Sequence, residues 1–98
     1  MIYIVDIDNT ICLTVDSNYQ YSSPMHERIN KINALYNSGH TIIYWTARGA
    51  NSGKDWKDLT EKQLNDWGCL RHSLIMNKPK YDIWIDDKAI NSNTFFYD

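Results

Sequence analysis

The amino-terminal segment constrains the fold and chemistry of this chain more than any other stretch. Ile2–Val5 is an apolar, β-prone run that predicts a buried strand, and Asp6 and Asp8 follow it at once. Alternation along an extended chain places both carboxylates on the same side. Two such charges about 4 Å apart repel by about 4 kcal/mol at an effective dielectric of about 20. The segment therefore predicts a strand end at which a cation relieves the repulsion.

The rest of the chain alternates between helical and strand patterns. Apolar residues recur at three- and four-residue steps from Met25 to Tyr36, which predicts an amphipathic helix capped by Ser22 or Ser23 and stopped by Gly39. A small hairpin or loop is expected over 11–24, a second helix over 55–66, further strands over 41–45, 73–76 and 81–85, and a short tail or helix at the end. This order predicts an α/β fold with a parallel sheet and right-handed crossovers.

Polar residues follow the predicted strands wherever a strand ends. In a parallel sheet the carboxyl ends of the strands meet at one edge, which is where ligands bind. We therefore expect residues from both ends and the middle of the chain to converge there. They are Asp6, Asp8, Thr10, Thr46, Arg48, Lys78, Lys80, Asp86 and Asp87.

These motifs resemble, in order and in strand context, those of the haloacid dehalogenase (HAD) superfamily of phosphatases and phosphotransferases. The superfamily's first motif, Asp-x-Asp-x-Thr, corresponds to residues 6–10, and its second, a strand ending in Ser or Thr, to Thr46. A Lys follows, here Lys78 with Lys80 as a rival, and then a strand ending in an acidic pair. The resemblance covers nearly the whole chain. It implies a minimal three-layer Rossmann-like parallel sheet, with residues 1–98 forming one catalytic domain without a cap.

The resemblance also implies a phosphatase mechanism. Asp6 would be the nucleophile that forms an aspartyl-phosphate, and Asp8 would protonate the leaving oxygen and then activate water. Thr46 and Lys78 would bind phosphate oxygens and orient Asp6. An acid at position 8 favours a phosphatase or phosphomutase over a dehalogenase or an ion pump, and the chain has no room for the cap that a mutase needs.

A magnesium site and substrate contacts are implied by the same resemblance. Mg²⁺ would be held by Asp6, the backbone carbonyl of Asp8 and Asp86, with Asp87 helping directly or through a water. Thr10, Arg48 and Lys80 are the expected substrate contacts. For Arg48 two readings stay open, a bidentate contact with a second anionic group or a surface side chain in a loop.

The short connections between the motifs indicate an open site. Capless members act on large or polymeric substrates or use an oligomer partner as a lid. The ending Lys-Pro-x-Tyr-Asp-x-x-x-Asp-Asp, residues 78–87, resembles that of phosphatases linked to bacterial capsule or surface-polysaccharide synthesis. The expected substrate is a phosphorylated sugar, glycan or other large phosphomonoester, and a homo-oligomer is an expected partner.

Two other functions stay open, a polynucleotide end phosphatase and a non-catalytic Mg²⁺-binding or phospho-accepting signalling module. The segment Thr-Ala-Arg-Gly at 46–49 is similar to that of end-processing HAD enzymes, whereas a formal net charge of −2 gives no support to non-specific nucleic-acid binding. Cys12 and Cys69 follow no metal or redox spacing and are expected to be free thiols of a cytoplasmic protein. No leader and no transmembrane span are expected.

Overall fold

A three-stranded parallel sheet forms the centre of the fold in the computed structural model, which describes residues 1–50 and 52–97. The strands are β1 (Ile2–Val5), β2 (Cys12–Leu13), β3 (Ser23–Pro24), β4 (Thr41–Trp45) and β5 (Ser73–Ile75). The helices are α1 (His26–Asn37), α2 (Lys57–Asp66) and α3 (Ser92–Tyr97), and a 3-10 turn spans Tyr19–Tyr21. The sheet order is β1-β4-β5, and β2 and β3 form a separate antiparallel hairpin. The predicted α/β class with a parallel sheet is confirmed.

The register brings the strand ends to one edge. Ile2 lies beside Thr41 and Val5 beside Tyr44, so β1 and β4 end nearly level. β5 runs parallel to β4 on its other side. Residues that follow β1 and β4 therefore emerge at the same edge of the sheet, as the sequence predicts.

The core occupies one face of the sheet. Ile42 and Tyr44 of β4 are fully buried in one cluster with Ile29 of α1 and Leu64 of α2. On the opposite face of β1, Ile2 and Ile4 are 70% and 59% exposed. Since α1 and α2 both contribute to this one cluster, they lie on the same face, as right-handed crossovers that advance in one direction would place them. Within the described residues the sheet and helices thus form two layers, where three were expected.

Both long helices begin later than the sequence predicts. Ser23 and Pro24 pair with β2 in the hairpin, so α1 starts at His26, and Met25 precedes it without a side-chain cap. α2 starts at Lys57, after the Asp55 carboxylate accepts the Lys57 N–H at 2.9 Å. The predicted stop of α1 is confirmed, since Gly39 follows the helix with φ of 95°.

The strand predicted over 81–85 is wrong. Residues 81–90 form neither helix nor strand, and every one of them is exposed. β5 ends at the same edge as β1, so a further parallel strand would have to start again from the opposite edge. The short connection 76–80 does not reach that far, as shown below.

The chain ends on the core again. Phe96 of α3 is buried in the cluster, and Arg28 of α1 donates to Asn93 at 2.7 Å. Among the described helices, none combines the length and the apolar character needed to cross a lipid bilayer.

Candidate active site

Asp6 lies directly after β1, at the carboxyl edge of the sheet. Its Oδ2 accepts a hydrogen bond from the Thr10 hydroxyl at 3.3 Å, and its Oδ1 lies 3.7 Å from Lys78 Nζ. A tight turn positions Thr10, because its N–H and that of Ile11 both donate to the Ile7 carbonyl. Thr10 therefore orients Asp6, where the sequence predicts a substrate contact.

The electrostatic setting of Asp6 is mixed. Burial raises the pKa of the Asp6 carboxyl above its ordinary value, whereas the Lys78 ammonium and the Ile7 backbone N–H act in the opposite direction. Asp8 adds repulsion that also raises this pKa. The side chain keeps 38% of its surface exposed, so solvent screens part of these effects. Asp6 is thus a partly desolvated carboxylate with one cation near it.

Asp8 is held by a bidentate ion pair with Arg48. Arg48 Nε donates to Oδ2 at 3.1 Å and Nη2 donates to Oδ1 at 2.9 Å. The Thr14 hydroxyl, from the loop after β2, also donates to Oδ1 at 2.6 Å. This geometry engages both oxygens of Asp8, and because, among the described residues, Oδ2 accepts only the Arg48 Nε hydrogen bond, one of its lone pairs stays free for a proton.

Arg48 is buried, so its interpretation as a surface side chain in a loop is wrong. Its Nη1 donates to Thr60 at 3.1 Å and to Gln63 at 2.6 Å, both on the inner face of α2. Its Nη2 also reaches Ser22 at 3.4 Å. Each of the five guanidinium N–H groups therefore has a protein partner, which makes Arg48 a residue that positions Asp8 rather than a binder of a second anion.

Lys78, not Lys80, is the lysine beside Asp6. The Lys78 backbone N–H donates to the Thr46 carbonyl at 2.8 Å, which anchors the loop to the end of β4. Its ammonium lies 5.1 to 5.8 Å from the ring centroids of Tyr81, Trp84 and Trp45. Lys80 is exposed on the wall of the adjoining cavity.

Thr46 does not take the predicted phosphate-binding position. It is fully buried, and its hydroxyl accepts the backbone N–H of Arg48 at 3.1 Å. Its observed contact thus shapes the turn after β4 that carries Arg48.

A cavity of about 470 Å³ opens beside the two carboxylates. Asp6, Asp8 and Lys78 line it, together with Asp16 and Tyr19 of the hairpin loop. The hairpin loop is fixed, since the Tyr19 ring packs edge-on against Trp56 at 5.0 Å and the Gln63 amide donates to the Tyr19 carbonyl at 2.6 Å.

The acidic pair Asp86 and Asp87 does not join this group, contrary to the predicted convergence. Of the described residues, those that line the cavity include neither carboxylate. Asp86 is exposed and accepts the Lys88 N–H at 2.8 Å and the Trp84 indole N–H at 3.2 Å, which together lower its pKa. The reason is the missing strand over 81–85, which was to deliver the pair to the sheet edge.

The predicted magnesium ligands are therefore not all brought together in the described residues. Within residues 1–50 and 52–97, no three His, Cys, Asp or Glu side chains lie close enough together to hold a metal ion. Asp6 and Asp8 remain at the sheet edge, and Arg48 already neutralises Asp8. Of the predicted magnesium ligands, Asp6 and Asp8 thus lie at the sheet edge and Asp86 does not.

Sequence reasoning missed the polar residues that surround the Asp8–Arg48 pair, of which Thr14 contacts Asp8 and the others contact Arg48. They are Thr14, Ser22, Thr60 and Gln63. One signal was available, since Thr60 and Gln63 lie three residues apart on the inner face of α2, next to Leu64. Polar residues on a core-facing helix stripe indicate a buried partner.

Comparison with known proteins supports the fold and goes no further. No protein-family model and no curated protein matches this sequence. A crystal structure of a structural-genomics target from Vibrio cholerae superposes with a TM-score of 0.87 over 98% of this chain and 87% of that one, at 23% identity. At that identity the likeness shows the fold alone. The chain therefore adopts an α/β fold that a solved bacterial protein shares.

Proposed function

We propose that this chain is a phosphomonoester hydrolase that forms an aspartyl-phosphate on Asp6. The observation that carries the proposal is the arrangement at the end of β1, where Asp6 faces a cavity with Lys78 Nζ 3.7 Å away. A second carboxylate, Asp8, is fixed two residues further on. The order of motifs described above supports the same chemistry.

In the first half-reaction an oxygen of Asp6 attacks phosphorus. The bond to the leaving oxygen breaks, and that oxygen keeps the bonding pair and takes a proton from Asp8. Asp8 is then ionised, which is the form that the Arg48 guanidinium holds. Lys78 offsets the charge that the phosphoryl group brings next to Asp6.

In the second half-reaction water attacks the aspartyl-phosphate. Asp8 takes one proton from the water as its oxygen bonds to phosphorus, and the bond between phosphorus and the Asp6 oxygen breaks. Phosphate leaves, Asp6 returns as a carboxylate, and Asp8 carries the proton for the next cycle. A magnesium ion held by Asp6 would add to the charge compensation that Lys78 supplies.

The substrate class follows from the open cavity. The hairpin over 12–24 is packed onto Trp56 and Gln63, and it leaves the carboxylates accessible rather than closing over them. A substrate must then exclude water itself, which favours a phosphorylated glycan, a lipid-linked sugar or a polymer end over a simple hexose phosphate. Cys12 and Cys69 are buried free thiols, in keeping with a cytoplasmic enzyme.

The test is hydrolysis of an aryl phosphate together with trapping of the intermediate, both with Mg²⁺ present. Asp6→Asn should lower kcat by about 10³-fold or more, because an amide does not attack phosphorus. Asp16→Asn, at another carboxylate that lines the cavity, is the matched control and should keep its rate. Wild-type protein should form a hydroxylamine-sensitive phosphoenzyme.

An Asp6→Asn variant that turns over at the wild-type rate would show that the nucleophile lies elsewhere. Phosphorylated glycans and a 3′-phosphorylated oligonucleotide form the substrate arms of the same assay. A preference for the oligonucleotide would indicate a polynucleotide end phosphatase. A phosphoenzyme that forms but does not turn over would indicate a phospho-accepting signalling module.

A further inference from the structure

The exposed segment 81–90, named here the arm, is built like a strand that lacks a partner. Tyr81, Ile83 and Ile85 alternate with polar or amphipathic residues, and Ile83 and Ile85 are 79% and 94% exposed. A strand-like apolar pattern predicts pairing and burial. The arm also carries Asp86, the carboxylate expected at the sheet edge.

The outer edge of β1 is the complementary feature. β1 pairs with β4 on one side, and among the described residues its other edge has no strand beside it. Ile2 and Ile4 are exposed on that strand. An unpaired edge presents a row of N–H and C=O groups that accept another strand.

The arm does not reach this edge in its own chain as a parallel strand. Lys78 is fixed at the end of β4 by its hydrogen bond to Thr46. For Asp86 to lie level with Asp6, Asp82 must lie beside Ile2, which is level with Thr41. That point is about 16 Å down the sheet and about 10 Å across it, so roughly 19 Å away. The chain from Lys78 to Asp82 spans at most about 15 Å.

Within its own chain, the arm is long enough to pair with β1 only as an antiparallel strand, and that pairing does not bring Asp86 to Asp6. A strand descending from Lys78 along β1 would carry Asp86 toward the edge opposite to Asp6. The same chain therefore does not supply both carboxylates to one site through this strand.

We propose that the arm of a second copy of this chain lies parallel to β1 as a fourth strand and completes the active site. The hinge is 79–81, and α3 travels with the arm onto α1 of the copy that receives it. Each chain carries one free edge and one free arm, so a two-fold pair closes with both edges filled. The claim that the exchanged arm completes the active site rests on the proposed function, whereas the strand exchange itself does not.

This placement accounts for the apolar residues of the arm. With Asp86 level with Asp6, Ile83 and Ile85 fall on the same face as Tyr3 and Val5, which is the face that the helices cover. Trp84 then lies beside Ile4 on the open face. Asp86 and Asp87 then reach the carboxyl edge beside Asp6 and Asp8, where the acidic pair of the same chain does not lie.

The first test is cross-linking, which needs no activity. Chains with Ile4→Cys are refolded together with chains carrying Trp84→Cys and treated with a short bis-maleimide. The expected product is a covalent pair of twice the 11.5 kDa chain mass. Leu13→Cys, exposed on the hairpin, replaces Ile4→Cys in the control and should give no pair. The absence of an Ile4–Trp84 product, or a monomer in sedimentation at assay concentration, would overturn the proposal.

The second test is complementation of two inactive variants. Asp6→Asn and Asp86→Ala chains are refolded separately and together. A two-fold exchange gives one intact site in each mixed pair, so the mixture should recover about a quarter of the wild-type activity. A mixture as inactive as its parts would overturn the shared site. If wild-type protein itself lacks phosphatase activity, the proposed function fails while the cross-link still decides the exchange.

Discussion

At the scale of single residues, the site depends on the ion pair between Asp8 and Arg48. The pair is strong by geometry, because both Asp8 oxygens are engaged and the Arg48 side chain is fully buried. Thr60 and Gln63 hold the far side of the guanidinium. The residue that the sequence offers as a substrate contact therefore holds Asp8 in place at the border of the cavity.

Arg48→Ala should damage the fold and the chemistry together. Removing the guanidinium leaves the Asp8 charge and the Gln63 carbonyl without their partner, which should lower the free energy of unfolding by roughly 3 kcal/mol. Turnover of an aryl phosphate and of a large phosphoglycan should fall by the same factor. Urea unfolding and steady-state kinetics measure both, and Lys62→Ala, in an exposed pair, is the control. A larger loss for the glycan would assign Arg48 to substrate binding.

The raised pKa of Asp6 predicts a pH-dependent stability in metal-free buffer. The folded protein binds a proton at Asp6 at pH values where the unfolded chain has released it, so stability falls as the pH rises through the folded pKa. Asp6→Asn removes this loss. Its melting temperature should exceed that of wild type at pH 7, and the difference should vanish below about pH 4. A constant difference across that range would contradict the prediction.

At the scale of elements, α1 connects the candidate active site to the carboxy-terminal helix α3. Its buried Arg28 donates to the Thr10 carbonyl at 3.0 Å, to Asn93 at 2.7 Å and to Tyr97 at 3.3 Å. The guanidinium also lies 4.8 Å from the Phe96 ring centroid. One side chain thus connects the turn beneath Asp6 to α3.

Arg28→Leu should therefore loosen two elements at once. The Thr10 carbonyl and Asn93 lose a charged donor, which should lower the free energy of unfolding by about 2 kcal/mol. Amide hydrogen exchange should rise in α3 and in the turn after β1, while β4 stays protected. Unchanged exchange in α3 would show that Phe96 packing alone holds the helix.

The sequence predicts the elements better than it predicts their partners. Periodicity identifies β1, β4, β5 and the two long helices because each pattern is local. The arm shows the limit, since Tyr81, Ile83 and Ile85 have a strand pattern but a pattern does not specify which edge lies beside it. For Arg48 the limit is similar, because its partners Thr60 and Gln63 lie on another element and only folding brings them together.

At the scale of the whole molecule, the sheet is covered on one face and open at one edge. Both crossovers advance in one direction, so α1 and α2 cover the same side. Two of the predicted metal-binding carboxylates, Asp6 and Asp8, lie at the sheet edge, and the other two, Asp86 and Asp87, lie on the arm. Metal binding should consequently depend on how the chains associate.

Mg²⁺ should raise the melting temperature of the associated protein but not of a variant that cannot pair its arm. Ile83→Pro fixes φ and removes one backbone N–H within the arm while keeping Asp6, Asp8, Asp86 and Asp87. Each kcal/mol of metal binding shifts the melting temperature of such a domain by roughly 4–8 °C, which scanning fluorimetry detects. Ile90→Pro, beyond the acidic pair, is the control and should respond like wild type. An equal response from Ile83→Pro would place the metal site within one chain.

The hinge over 79–81 also sets how far an assembly of these chains extends. If the hinge directs each arm to the chain whose own arm it receives, association stops at two chains. If it directs the arm to a third chain, every addition leaves one edge and one arm free, and the product is an open filament. Substitutions at Pro79 would then convert a closed dimer into a fibre. The side chains in contact between each arm and the β1 edge beside it would stay the same.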